Sequence, residues 1–182
     1  MITHSGRALV DPYIVFDKVG LAKGMRVADL GCGRVGHFVF PAARIVGETG
    51  IIYAVDILEE VLKNIASNIR SYGLDNIEPV WANIEKYGQV PVPMNTIDVV
   101  FITNVMFQLK DKIAAIKEAG RLLTDGGKLV IIDWQKKLST LGPLPDQMVA
   151  VDAVVDMAKQ VGLVPEEKFA LGNYHFCLVF KK

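Results

Sequence analysis

Between Met25 and Phe180 the chain switches repeatedly between two patterns. Short apolar, often β-branched runs of strand length alternate with stretches whose apolar residues recur at helical spacing. Met25–Leu30, Ile51–Asp56, Ile77–Ala82, Ile97–Ile102 and Leu129–Ile132 are the strand candidates. Helical spacing is kept by Phe38, Ala42, Ile45 and Val46, then by Val61, Leu62, Ile65 and Ile69. It returns in Ile113, Ile116, Ala119, Leu122 and Leu123. Glycines at Gly47–Gly50, at Gly73 and at Gly126-Gly127 punctuate the ends of these helices. Ahead of the first strand, Asp11-Pro12 reads as a cap and first-turn proline for a helix reaching about Ala22.

A last helix is expected over about Gln147–Val161, followed by strand-like runs at Glu166–Leu171 and His175–Phe180. Strands separated by helices predict a parallel sheet covered on both faces, because a parallel crossover needs a helix-sized connection. Only Gly172-Asn173-Tyr174 separates the final two runs, too short for a crossover, so they form an antiparallel hairpin. The expected architecture is α/β: a doubly wound, mostly parallel sheet with an antiparallel strand at or near one end. No repeat, charge block or Ser/Pro-rich linker divides the chain, so residues 1–182 read as one domain, a leading segment to about residue 10 and a core from 11. In such sheets ligands sit outside the carboxyl ends of the strands, where the strand order reverses.

Composition narrows the function classes. Half the residues are hydrophobic (51%), ample for a packed core and incompatible with intrinsic disorder. Lys plus Arg and Asp plus Glu each number 20, and this neutral balance gives no strong nucleic-acid or anionic-membrane signal. Cys32 and Cys177 cannot build a disulfide framework or a Cys-rich metal site. No apolar run reaches the roughly 18–20 residues of a membrane span, and Met1–Arg7 lacks a signal-peptide layout. The expectation is a cytoplasmic protein acting on a small molecule, with homo-oligomerisation left open.

The first strand runs into Asp29-Leu30-Gly31-Cys32-Gly33-Arg34-Val35-Gly36. Glycines here let the backbone turn sharply and approach a ligand closely, while the following helix presents its amide end. Asp56 closes the second strand 20 residues beyond Gly36, where an acid can accept from both hydroxyls of a ribose. Together these features point to an adenosine-containing ligand. Read literally, the glycine spacing belongs to dinucleotide-binding proteins, which keeps an NAD(P)-dependent oxidoreductase as the rival.

With Asp29 placed one residue ahead of Gly31 and Gly33, the loop resembles the first motif of class I S-adenosylmethionine-dependent methyltransferases. Tyr53-Ala54-Val55-Asp56 is similar to that family's ribose-binding strand end, and Asp98–Asn104 to its fourth-strand motif. Leu122–Leu129 is similar to its turn into strand five, and the pattern covers roughly residues 10 to 180. The resemblance implies a Rossmann-like seven-stranded sheet, S-adenosylmethionine as cofactor, and methyl transfer to an unidentified, small-molecule acceptor. It implies cofactor contacts from Asp29, Gly31, Cys32, Gly33, Gly36 and Asp56. It further implies Ile57 and Ile84 on the adenine faces, Asn83 at the adenine amino group, and Asn104 near the reacting methyl. Three departures stand out: the third glycine is one residue late, Asn83 replaces the commoner acid, and Asn104–Leu109 lacks histidines that related enzymes carry.

A methyl group on a sulfonium is already activated, so aligned in-line displacement can proceed without metal or triad. No catalytic residue is assigned on sequence, and a cofactor-binding protein without activity is a third reading. Asp133 and Trp134 at the end of strand five are equally suited to the acceptor pocket or to capping and packing. His37 reads as a capping or surface residue, His175 as an edge-strand residue, and Cys32 as a space-filler whose helix-end position would lower its pKa. Gly6-Arg7 and Gln135–Gln147 are the segments available to cover the crevice, and Lys136-Lys137 and Lys181-Lys182 read as solvated ends.

Overall fold

The computed structural model describes residues 9–138 and 142–182, so Gly6-Arg7 and part of Gln135–Gln147 lie outside the described residues. Asp11 accepts the Tyr13 N–H ahead of Pro12, and the first helix, α1 (Pro12–Val19), follows. It stops short of Ala22 because Gly20 turns left-handed, its N–H closing onto Phe16 and Asp17 carbonyls. The chain continues through β1 (Arg26–Leu30), α2 (Val39–Val46), β2 (Ile51–Asp56), α3 (Glu59–Tyr72) and β3 (Ile77–Trp81). Then come β4 (Ile97–Thr103), a short 3-10 turn (Met106–Gln108), α4 (Lys112–Leu122) and β5 (Leu123–Trp134). Helix α5 (Val151–Gln160), β6 (Val164–Leu171) and β7 (His175–Lys181) complete it.

The strands form one seven-stranded sheet in the order β3-β2-β1-β4-β5-β7-β6. The first five pair in parallel, while β7 runs antiparallel to both β5 and β6. Alternate side chains serve opposite layers. Val27, Val99 and Phe101 pack with Phe16, Phe38, Val39 and Ile65 of the α1–α3 layer. Ala28, Leu30, Val100 and Ile102 pack with Ile116, Ala119 and Val154 of the α4–α5 layer. Both faces are therefore dry, which is why the strands read as near-continuous apolar runs.

Four local expectations change. No helix joins β3 to β4: residues 83–96 cross as turns, pinned from α4. Buried Glu118 accepts the Gly88 and Val90 N–H groups and pairs with Arg121 at 2.8 Å. Arg121 in turn donates to the Val90 and Val92 carbonyls. Gly126-Gly127 lie inside β5 rather than ahead of it, where the register with β4 shifts between Ile97 and Val99. Helix α5 begins at Val151, not Gln147, because Gln147 closes a turn, its side chain accepting the Leu144 N–H. His175 is no edge residue, since β7 lies between β5 and β6 and its ring is fully buried.

Candidate active site

The strand order reverses at β1, whose neighbours β2 and β4 lead chain in opposite directions. A cavity of about 710 Å³ opens at the carboxyl ends of these strands, within the usual ~300–1,000 Å³ of small-molecule sites. Asp29, Gly31, Cys32, Gly33, Asp56, Ile57, Asn83, Ile84 and Asn104 all line it. Gly36 does not, and its role is packing: a Cβ there would fall 2.7 Å from the Phe40 ring and 2.9 Å from Ile65.

The loop is hung from β2. Gly31 and Cys32 N–H both donate to the Val55 carbonyl (2.8 and 3.0 Å), and Gly33 N–H donates to the Asp56 carboxylate at 3.1 Å. Gly31 has φ +84°, and a Cβ there would run into the Val105 side chain, so a larger residue would be strained and would have to push that side chain aside. The late third glycine is absorbed by a turn, with Gly36 N–H reaching the Gly33 carbonyl before α2 begins at Val39. Arg34 swings outward to Glu60 (2.9 Å), and its carbonyl accepts from Asn64, tying the turn to α3.

Two aspartates, Asp29 and Asp56, face the cavity beside the loop, with Glu85 also on its lining. Asp56 accepts Gly33 N–H on one oxygen and Leu58 N–H (3.0 Å) on the other, which leaves a lone pair on each. Asp29 is only 3% exposed, and its Oδ1 is a buried acceptor without a partner among the described residues. Burial, and next the Asp56 charge, push its pKa up to about 7. Asn83 spends its amide oxygen on the Glu85 N–H (2.9 Å) in a local turn, which leaves that oxygen one further lone pair. Ile57 is half-exposed and Ile84 buried, both apolar walls of the cavity. Asn104 takes φ +57°, its N–H bonded to the Ile132 carbonyl (2.8 Å). Its Oδ1 and the neighbouring Thr103 Oγ1 are buried without partners among the described residues.

The remaining candidates separate cleanly. Asp133 and Trp134 lie off the cavity: Asp133 accepts the Phe107 N–H (3.3 Å) and the Trp134 N–H (2.7 Å), holding the turn after β4. Burial lifts the Asp133 pKa to about 6. Trp134 packs on His175 with ring centroids 4.2 Å apart, and burial lowers the His175 pKa to about 4. The Cys32 thiol moves opposite to the helix-end expectation, raised by burial and then by Asp29 and Asp56, so it stays protonated. His37 was underrated by sequence reading, since it lines the cavity with Nε2 2.7 Å from the Val10 carbonyl. Leu9, Val10, Thr103 and Gln108 also line it, and only their positions next to strand or helix ends hinted at that. Among the described residues there is no cluster suited to a metal, and no helix long and apolar enough to cross a membrane.

A family model described as a methyltransferase domain matches residues 21–174. The chain belongs to the class I S-adenosylmethionine-dependent methyltransferases. The chain is 34% identical over 123 residues to the ubiquinone/menaquinone biosynthesis C-methyltransferase UbiE of Escherichia coli. The match covers 67% of the chain and 47% of UbiE, so the chain spans about half the length of the curated relatives it matches. Among solved structures it resembles a SAM-dependent methyltransferase from Aquifex aeolicus, with a TM-score of 0.88 and 29% identity over 97% of this chain and 92% of that one. A putative type 11 methyltransferase from Sulfolobus solfataricus shares the fold, with a TM-score of 0.77 and 24% identity over 96% and 93% of the two chains.

The elevated Asp29 carboxyl has a measurable consequence. Its folded pKa lies above the ordinary ~3.9, so between about pH 4 and 7 the folded state keeps a proton that the unfolded state has released. The Asp29 contribution therefore falls as pH rises through that window, and buried Asp133 adds to the fall up to about pH 6. His175, held below its ordinary value by burial, offsets part of it between about pH 4 and 6.5 and leaves a net decline. Urea denaturation of ligand-free protein should show about 2–4 kcal/mol of this decline, and Asp29→Asn should remove Asp29's share. An identical pH profile for the variant would mean Asp29 is solvated and ordinary.

Proposed function

We propose that this chain transfers a methyl group from S-adenosylmethionine to a small-molecule acceptor by in-line displacement. The observation that carries the reading is the orphaned Asp29 oxygen: a buried carboxyl at the foot of the glycine loop, in one cavity with Asp56. A buried carboxylate without a partner is costly unless a cation meets it, and the amino group of the cofactor's methionine part is such a cation.

The cofactor supplies a methyl group on a positively charged sulfur whose departure leaves a neutral thioether. Everything else falls to the chain. Gly31 and Gly33 let the backbone lie close to the methionine part, with Asp29 holding its ammonium. The free lone pairs of Asp56 accept from the ribose hydroxyls, while Ile57 and Ile84 cover the adenine and Asn83 meets its edge. Asn104, held left-handed, places its orphaned amide oxygen at the end of β4, by the reacting centre. Positioning of this kind can lower a barrier by ~7–11 kcal/mol without a metal. The names of the UbiE relatives support carbon as a site of methylation.

Turnover tests the proposal. Protein incubated with S-adenosylmethionine and a panel of small phenols, thiols and amines should release S-adenosylhomocysteine in step with a methylated product seen by mass spectrometry. Cofactor binding with no product from any member would favour a binding protein. Hydride transfer from a nicotinamide cofactor would favour the oxidoreductase.

A further inference from the structure

An acceptor that arrives as a neutral hydroxyl must shed its proton as it gains a methyl group, and the cavity holds few groups able to take it. Among the described residues, the titratable side chains lining it are Asp29, Cys32, His37, Asp56 and Glu85. The lone pairs that Asp56 keeps beside the Gly33 and Leu58 N–H groups go to the ribose, and Glu85 is tied through Oε1 to the Lys110 and Asp111 N–H groups. Asp29 belongs to the ammonium end of the cofactor, and Cys32 keeps its proton. His37 is left.

Its geometry suits the task. The Val10 carbonyl, 2.7 Å from Nε2, can only accept, so that nitrogen carries the hydrogen and the neutral ring keeps its lone pair on Nδ1. Nδ1 has no hydrogen-bond partner among the described residues. Protonation of the ring would strengthen the Val10 contact, because a charged donor binds a carbonyl more tightly than a neutral one. The cavity's walls are mostly apolar, including Val10, Val35, Phe38 and Val105, and no Lys or Arg is among its described lining residues. An anionic acceptor would meet carboxylates there and, among the described residues, no Lys or Arg. A neutral molecule with an apolar ring meets neither penalty.

Resting on the methyl-transfer reading, we propose that His37 is a catalytic residue whose Nδ1 takes the proton from a weakly acidic hydroxyl, of the phenol class, on a neutral acceptor. The oxygen–hydrogen bond breaks and its proton passes to Nδ1. The freed electron pair drives attack on the methyl carbon, the pair of the broken carbon–sulfur bond stays on sulfur, and the imidazolium returns its proton to water.

The test uses para-nitrophenol, whose phenolate is yellow, with the full chain loaded with S-adenosylhomocysteine. At a pH where the free probe is partly ionised, bound probe should show a stronger phenolate band than free probe. The His37 ring resonances should move toward the protonated form in the same titration. His37→Gln keeps an amide N–H to meet the Val10 carbonyl and removes the base. It should retain S-adenosylhomocysteine affinity by calorimetry and lose the extra phenolate band. A band that persists in the variant would overturn the proposal. So would loaded wild type that fails to bind the probe or binds it without the gain, or a variant that loses S-adenosylhomocysteine. Failure of the wild type to bind S-adenosylhomocysteine would instead sink the methyl-transfer reading.

Discussion

Glu118→Ala should destabilise the protein by about 3–5 kcal/mol, the cost of stranding a buried charge by removing its partner. The substitution leaves the Arg121 guanidinium, only 9% exposed at its side chain, without its carboxylate. It also strips acceptors from the Gly88 and Val90 N–H groups that hold the β3–β4 crossing in place. Against a typical total of ~5–15 kcal/mol, that is a large share. The loss should appear as a lower urea midpoint. Replacing both Glu118 and Arg121 by methionine should cost less than Glu118→Ala alone, since no lone charge remains buried. A single variant as stable as wild type would mean that water reaches the pair.

The same carboxyl sets an acid limit. Burial pushes its pKa up, but the Arg121 contacts and the Gly88 and Val90 N–H groups outweigh that and hold it below the ordinary range. Its contribution is thus complete above the unfolded value of ~4.3 and fades as pH falls through the lower folded value. Asp29 pulls the opposite way at higher pH.

Asp56→Ala should weaken S-adenosylmethionine binding by about 1.5–3 kcal/mol, roughly ten- to a hundredfold in Kd, the scale of hydrogen bonds to a charged group. Asp56 also holds the loop through Gly33 N–H and Leu58 N–H, so alanine removes ligand contacts and loop anchors together. Asp56→Asn separates these, because its amide oxygen can still accept one of the two N–H groups while the charge is gone. Calorimetry should find the asparagine variant weakened but less than alanine, with circular dichroism unchanged. Equal affinity in all three proteins would remove Asp56 from the site.

Much of this was legible in the residues themselves. Strands buried on both faces leave an apolar run that needs no partner to be read, and Gly172-Asn173-Tyr174 could not be a crossover. Asp29, the loop glycines and Asp56 were readable because each sits at a strand end, where the fold itself dictates what faces the crevice. The failures were those of residues whose roles depend on distant partners. Nothing near Glu118 in sequence announces that it will clamp residues 88 and 90. His175 reads as edge until the hairpin is known to insert β7 between β5 and β6. Gly36 has the spacing of a ligand contact, and only the approach of Phe40 and Ile65 shows that its space is taken by the protein. His37 became a site residue through the Val10 carbonyl, 27 positions away.

The central claim is that Asp29, the glycine loop and Asp56 together grip a sulfonium nucleoside. Isothermal titration of the purified chain with S-adenosylmethionine, repeated in buffers of different ionisation enthalpy, tests it most directly. Saturable binding to one site per chain is predicted, with a proton released near pH 7 as the ligand's ammonium draws the elevated Asp29 carboxyl into its charged form. No heat with S-adenosylmethionine, or saturable binding of NADH in its place, would contradict the account.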